Sequence, residues 1–158
     1  MSQPSIKILL IERDADLGRA TRDLLDQAQR VNFDILFAET VESGFAHLAQ
    51  GPIQVVLIDV SPRNGGVGVL ARIRERAPDA ALVALCDLEH EDAAIESLQQ
   101  GAQDYLIRND LKASVLEHAI RYAVGRKRAD DDLRHSEARY RSLVESLPLH
   151  MFRKDLEG

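Results

Sequence analysis

The chain has 158 residues, 45% of them apolar, with a formal net charge of −6 and a pI near 5.3. This length holds one domain of roughly 100–150 residues plus a further segment, and the acidic balance excludes a general nucleic-acid binder, which would carry a basic face. No apolar run approaches the roughly 20 residues that cross a bilayer. The N-terminus lacks the basic-then-apolar pattern of a secretory leader. One cysteine, Cys86, excludes an internal disulfide and suits a reducing, cytoplasmic setting. The histidines (His47, His90, His118, His135 and His150) are scattered without metal-ligand spacing.

In chain order, short apolar runs alternate with helical patterns. The runs are Ile6–Ile11, Phe33–Phe37, Val55–Val60, Ala81–Leu85 and Asp104–Ile107. After Asp14, a suitable N-cap, Leu17, Ala20, Leu24 and Leu25 repeat at helical spacing. Val41, Phe45, Leu48 and Ala49 form one face of a helix ending near Gly51, with His47 off that stripe and in solvent. Val67, Leu70 and Ile73 mark a third helix, and Ala93, Ala94 and Leu98 a fourth, stopped by Gly101. Such alternation implies βαβ units with right-handed crossovers. The expected fold is α/β, a five-stranded parallel doubly wound (flavodoxin-like) sheet.

Charge gathers where two of these strands end. Asp59 closes the most apolar run, Val55-Val56-Leu57-Ile58, whose unbroken hydrophobicity predicts a strand covered on both faces. Glu12 closes Ile8-Leu9-Leu10-Ile11 and is followed by Arg13 and Asp14. In open α/β sheets, ligands bind beyond the carboxyl ends of the strands. The loop Asn64-Gly65-Gly66-Val67-Gly68 lacks a Walker lysine and a dinucleotide fingerprint.

From about Ala113 to Leu147 there is no proline and one glycine, Gly125, which predicts a single long helix. Within it Ala129, Leu133, Ser136, Tyr140, Leu143 and Leu147 alternate at four- and three-residue intervals, a heptad seam of about two and a half repeats. This pattern predicts a helix that extends as a coiled coil and pairs with a second copy through residues 113–147. The alternative is a solvated helix packed on its own domain.

The strands ending in Glu12 and Asp59, Pro62 with Gly66, Cys86 at the fourth strand end, and Gly101-Ala102-Gln103-Asp104-Tyr105-Leu106-Ile107-Arg108 together resemble the response-regulator receiver domain of two-component signalling, over roughly residues 5–125. Arg121-Tyr122-Ala123 and Ser136–Val144 resemble the signalling-helix linker that leads into a PAS sensory domain. The implied organisation is a receiver domain at 1–125, a helical linker at 126–147 and the truncated start of a PAS-like domain at 148–158. By this resemblance Asp59 is the phosphoacceptor, Glu12 and Asp59 are the metal ligands, Cys86 and Arg108 occupy the positions that contact the phosphoryl group, and Tyr105 is a switch ring. The partners implied are a histidine kinase or phosphotransfer protein, with relay to a downstream sensory or output domain and no enzymatic activity of its own.

The chain departs from the family pattern at named places. Arg13 fills the second acidic position, Cys86 stands for Ser or Thr, Arg108 for Lys and Asn109 for Pro, and the loop from Asp59 to Pro62 is one residue shorter. Phosphoryl transfer needs positioning and charge neutralisation, and Mg²⁺ takes carboxylate oxygens. A guanidinium about 5 Å from the ion opposes it by roughly 3 kcal/mol per unit charge product at an effective dielectric near 20. Mg²⁺ is therefore expected to bind weakly or not at all, with Arg13 opposing it. Asp14 could turn inward as a substitute ligand, or Arg13 could pair with Asp59 or Glu12. Cys86 is read as a buried strand-end residue, with a redox-sensing thiol as the sharper alternative. The competing function is a phosphorylation-independent interaction module in which Arg13, Asp59 and Arg108 form a fixed ion-pair cluster.

Overall fold

A computed structural model of the chain describes residues 5–62 and 65–146. The strands are β1 (Ser5–Ile11), β2 (Asn32–Ala38), β3 (Val55–Asp59), β4 (Ala81–Cys86) and β5 (Asp104–Ile107). All pair in parallel, in the order β2-β1-β3-β4-β5. The helices are α1 (Ala15–Asp26), α2 (Val41–Gln50), α3 (Val69–Arg76), α4 (Glu91–Gln99) and α5 (Ala113–Ser146). This is the doubly wound flavodoxin-like sheet that the alternation predicts, with its long C-terminal helix.

The sheet is covered on both faces, which explains the unbroken apolar strands. Val56 and Ile58 join one core with Val41 of α2, Leu70 and Ile73 of α3, and Ala94 of α4. Val55 and Leu57 face the other way, into a core with Leu25 of α1 and Leu116, Ala119, Ile120 and Ala123 of α5. Every residue of β3 is buried. Successive strand side chains point to opposite faces, so a strand apolar at every position must be sandwiched.

The helices begin and end for local reasons. Asp14 caps α1, its side chain accepting from Asp16 N and Leu17 N. Thr40 and Ser43 form a reciprocal capping box at α2. Gly101, at φ 107°, closes α4: Ala102 N donates to Ser97 O and Gly101 N to Leu98 O, the paired bonds of a Schellman motif. A β-carbon there would lie 2.7 Å from Arg74 Nη1, whose guanidinium donates to Gln100 O.

Several helix faces are phased differently from the sequence expectation. Ala20, Ala49 and Leu98 are exposed, whereas Gly18, Thr21, Gly44 and Ser97 are buried. Small residues take these inward positions because the strands behind them carry bulk: a β-carbon on Gly18 would stand 2.4 Å from the Phe37 ring. His47, expected in solvent, is half-buried.

The chain divides into two compact units, the first ending at Lys127 and the second starting at Arg128. Helix α5 spans this division, and its sequence changes character there. Before it, Leu116, Ala119, Ile120 and Ala123 are buried; after it, no described side chain is. Leu133, Tyr140 and Leu143 of the seam are exposed, whereas Leu147 and the expected PAS-like start lie outside the described residues. Among the described residues no helix is long and apolar enough to cross a membrane.

Candidate functional site

Strand register assembles an acidic cleft. Ile11 stands opposite Ile58, Asp59 opposite Leu85 and Cys86 opposite Ile107. Glu12, Asp59, Asp87 and Arg108 therefore emerge side by side where β1, β3, β4 and β5 end. Asp59 is 0% exposed and Glu12 1%. Two carboxylates withdrawn from water this far need hydrogen-bond donors and countercharge.

Both are supplied within the chain. Ser61 donates its backbone N–H to Asp59 Oδ1 at 2.8 Å and its hydroxyl to Oδ2 at 3.0 Å. Asp14 N donates to Glu12 Oε1 at 3.0 Å. The Arg108 guanidinium, with only 9% of its side chain exposed, forms an ion pair with Glu12 Oε2 and stands 3.5 Å from Asp59 Oδ2 and 3.5 Å from Asp87 Oδ1. Its backbone is fixed by Arg108 N donating to Cys86 O. Beside it, Asn109 accepts from Leu88 N at 2.9 Å, a side-chain acceptor that proline would lack.

Glu12 holds its proton unusually firmly. Burial raises its pKa from 4.5 to about 7; the Asp14 N–H and Arg108 pull it down, while the charge of Asp59 and a hydrogen bond between the two carboxyl groups push it up. Cys86 is fully buried. Burial is also the main reason that its thiol rises from 9.0 to about 11, against the lowering influence of Arg108. It therefore stays a thiol at neutral pH, whereas redox-sensing cysteines are exposed and readily ionised.

At this edge the Arg108 side chain is largely buried and reaches the carboxylates, whereas Arg13 is exposed. Asp14 is engaged as the α1 cap. Tyr105 is half-buried on β5, lining a surface groove with Glu91, Asp104, Lys112 and Val115. Ser61 and Asp87 were missed from sequence, although both left a signal. A serine two residues after a strand-end aspartate is placed for an Asx-type turn, and Asp87 follows an apolar strand just as Glu12 does. Asp87, Glu89 and His90, close neighbours in sequence, also hold their ligand atoms within 4.8 Å of one another, a cluster not singled out from the sequence.

The profile of the response regulator receiver domain family matches residues 8–121. The chain belongs to this family. Receiver domains are regulatory modules of two-component signalling. Over 120 residues this one is 29% identical to the response regulator protein FleR of Pseudomonas aeruginosa, covering 75% of this chain and 25% of that protein. It is 30% identical over 102 residues to the photosynthetic apparatus regulatory protein RegA of Rhodovulum sulfidophilum, covering 61% and 56%. The chain thus spans well under two thirds of these relatives. A receiver domain structure from Clostridium thermocellum superposes with a TM-score of 0.67 at 27% identity, over 78% of this chain and 98% of that one.

Receiver domains generally bind Mg²⁺ at an acidic pocket. The corresponding groups here do not fit it as they are arranged. Glu12 directs one oxygen at Asp14 N and the other at Arg108, and both Asp59 oxygens accept from Ser61. Of the buried polar side-chain atoms left without a partner among the described residues, His47 Nδ1, His90 Nδ1 and Arg108 Nε, the one between these carboxylates is Arg108 Nε, a donor, which a cation cannot use.

Proposed function

We propose that this chain is a receiver module in which Asp59 accepts a phosphoryl group from a histidine kinase or phosphotransfer protein, at a degenerate metal site. The signal passes through α5 to a downstream sensory or output domain. The observation that carries this reading is the placement of Asp59. It is a buried carboxylate at the β3 end, oriented by two Ser61 hydrogen bonds and set beside a guanidinium that can offset an incoming anion. The test is to incubate the chain with a small phosphodonor, with and without Mg²⁺, and weigh it. A single phosphoryl adduct absent from Asp59→Asn supports the reading. No adduct under either condition overturns it and leaves a phosphorylation-independent interaction module.

The same proposal includes a homodimer through residues 113–147, with a receiver domain at 1–125 and a coiled-coil linker at 126–147. Support comes from exposed Leu133, Tyr140 and Leu143, three of the seam positions, on one uninterrupted helix. Solution mass decides it: the chain should sediment as a dimer and Leu133→Glu/Tyr140→Glu as a monomer. An unchanged mass would remove the dimer from the proposal.

A further inference from the structure

We propose that Arg108 is the resident cation of the acidic cleft: its guanidinium fills the place between Glu12 and Asp59 that a divalent ion would take, and so closes the cleft to Mg²⁺. This inference concerns cation occupancy and holds whether or not Asp59 receives a phosphoryl group.

Three observations carry it. First, the guanidinium is shared among carboxylates from three different strand ends, Glu12 after β1, Asp59 at β3 and Asp87 after β4. A planar fork with several donors can serve several carboxylates at once, which a lysine ammonium at the end of a flexible stem does less well. Second, Arg108 is anchored at both ends. Its backbone N–H is held by Cys86 O and its side chain is 9% exposed, so admitting an ion requires expelling a buried, multiply paired cation. Third, the first loop holds its side chains elsewhere: Arg13 is exposed at the place of the second acid, and Asp14 is kept at the start of α1 by Asp16 N and Leu17 N, both donating to its Oδ1. Mg²⁺ demands near-octahedral oxygen ligands and dehydrates reluctantly, and here it would also meet a fixed like charge.

The experiment measures divalent binding directly. Mn²⁺, which takes the same oxygen ligands, is titrated into the whole chain and into Arg108→Ala, with bound ion read by its paramagnetic signal. Unfolding midpoints are recorded in 10 mM MgCl₂ against NaCl of equal ionic strength. The wild type should show no saturable site and no Mg²⁺-specific shift. Arg108→Ala should gain a site at least tenfold tighter, lost again in Asp59→Asn/Arg108→Ala. Should Arg108→Ala fail to fold, Arg108→Lys, which keeps one charge without the fork, should show an intermediate gain. Saturable wild-type binding as tight as in either variant, or no gain on removing the guanidinium, overturns the proposal. A phosphoryl adduct can form or fail to form without altering these readings, so the two proposals fail separately.

Discussion

Ser61 donates to both oxygens of Asp59, its amide to one and its hydroxyl to the other. Only the hydroxyl can be removed by mutation without disturbing the turn. Hydrogen bonds to charged groups are worth about 1.5–3 kcal/mol, so Ser61→Ala should lower unfolding free energy by about that amount in urea titrations. An unchanged midpoint would mean that the hydroxyl bond contributes nothing in solution.

Glu12 predicts a stability that falls with pH. Its folded pKa is raised from 4.5 to about 7, so between those values the folded chain binds more protons than the unfolded one. The contribution is fully present below pH 4.5 and is lost as pH rises through 7. At 1.36 kcal/mol per unit, the loss is at most roughly 3 kcal/mol. The stability difference between wild type and Glu12→Gln, measured at pH 5 and pH 8.5, should shift against the wild type at the higher value.

Glu117 ties α5 to the segment after α1, its two oxygens accepting from Gln29 N at 3.2 Å and Arg30 N at 3.1 Å. It is 8% exposed, and truncation leaves both amides without this charged acceptor. Glu117→Ala should cost about 1–3 kcal/mol and speed amide exchange at Gln29 and Arg30, while Glu117→Gln should recover part of the loss. Unaltered exchange at both amides would count against this contact.

Cys86 should resist alkylation in the native state. The difference between about 11 and 9.0 lowers the thiolate fraction near pH 8 about hundredfold relative to unfolded chain, before burial is considered. Iodoacetamide labelling followed by mass should be slow in buffer and fast in denaturant. Equal rates would show that the thiol is accessible.

The sheet was legible because burial on both faces writes itself into sequence as an unbroken apolar run, as in Val55–Ile58, and because Asp14 and Gly101 are unambiguous helix punctuation. Short helices were less legible. Within the nine residues of α4, Leu98 looked inward by composition, yet Ser97 takes the buried position and Leu98 is 41% exposed. Helical phase over so few turns is settled by what the sheet has room for. At the cleft, Asp59, Glu12 and Arg108 could be placed from strand ends alone. The reach of each guanidinium could not: Arg13 and Arg108 stand at one edge, and only the three-dimensional course of the chain after β5 brings Arg108 inward.

The closure at Gly101 has a mechanical consequence. With Arg74 lying over the glycine and holding Gln100 O, the C-terminal end of α4 is fastened to the end of α3. Its opposite end begins at Glu91, just beyond Asp87 and the short turn Leu88–His90. A tilt of this helix about Gly101 would be largest at the end nearest Arg108. Events in the cleft would thus act on α4 with the longest available lever arm.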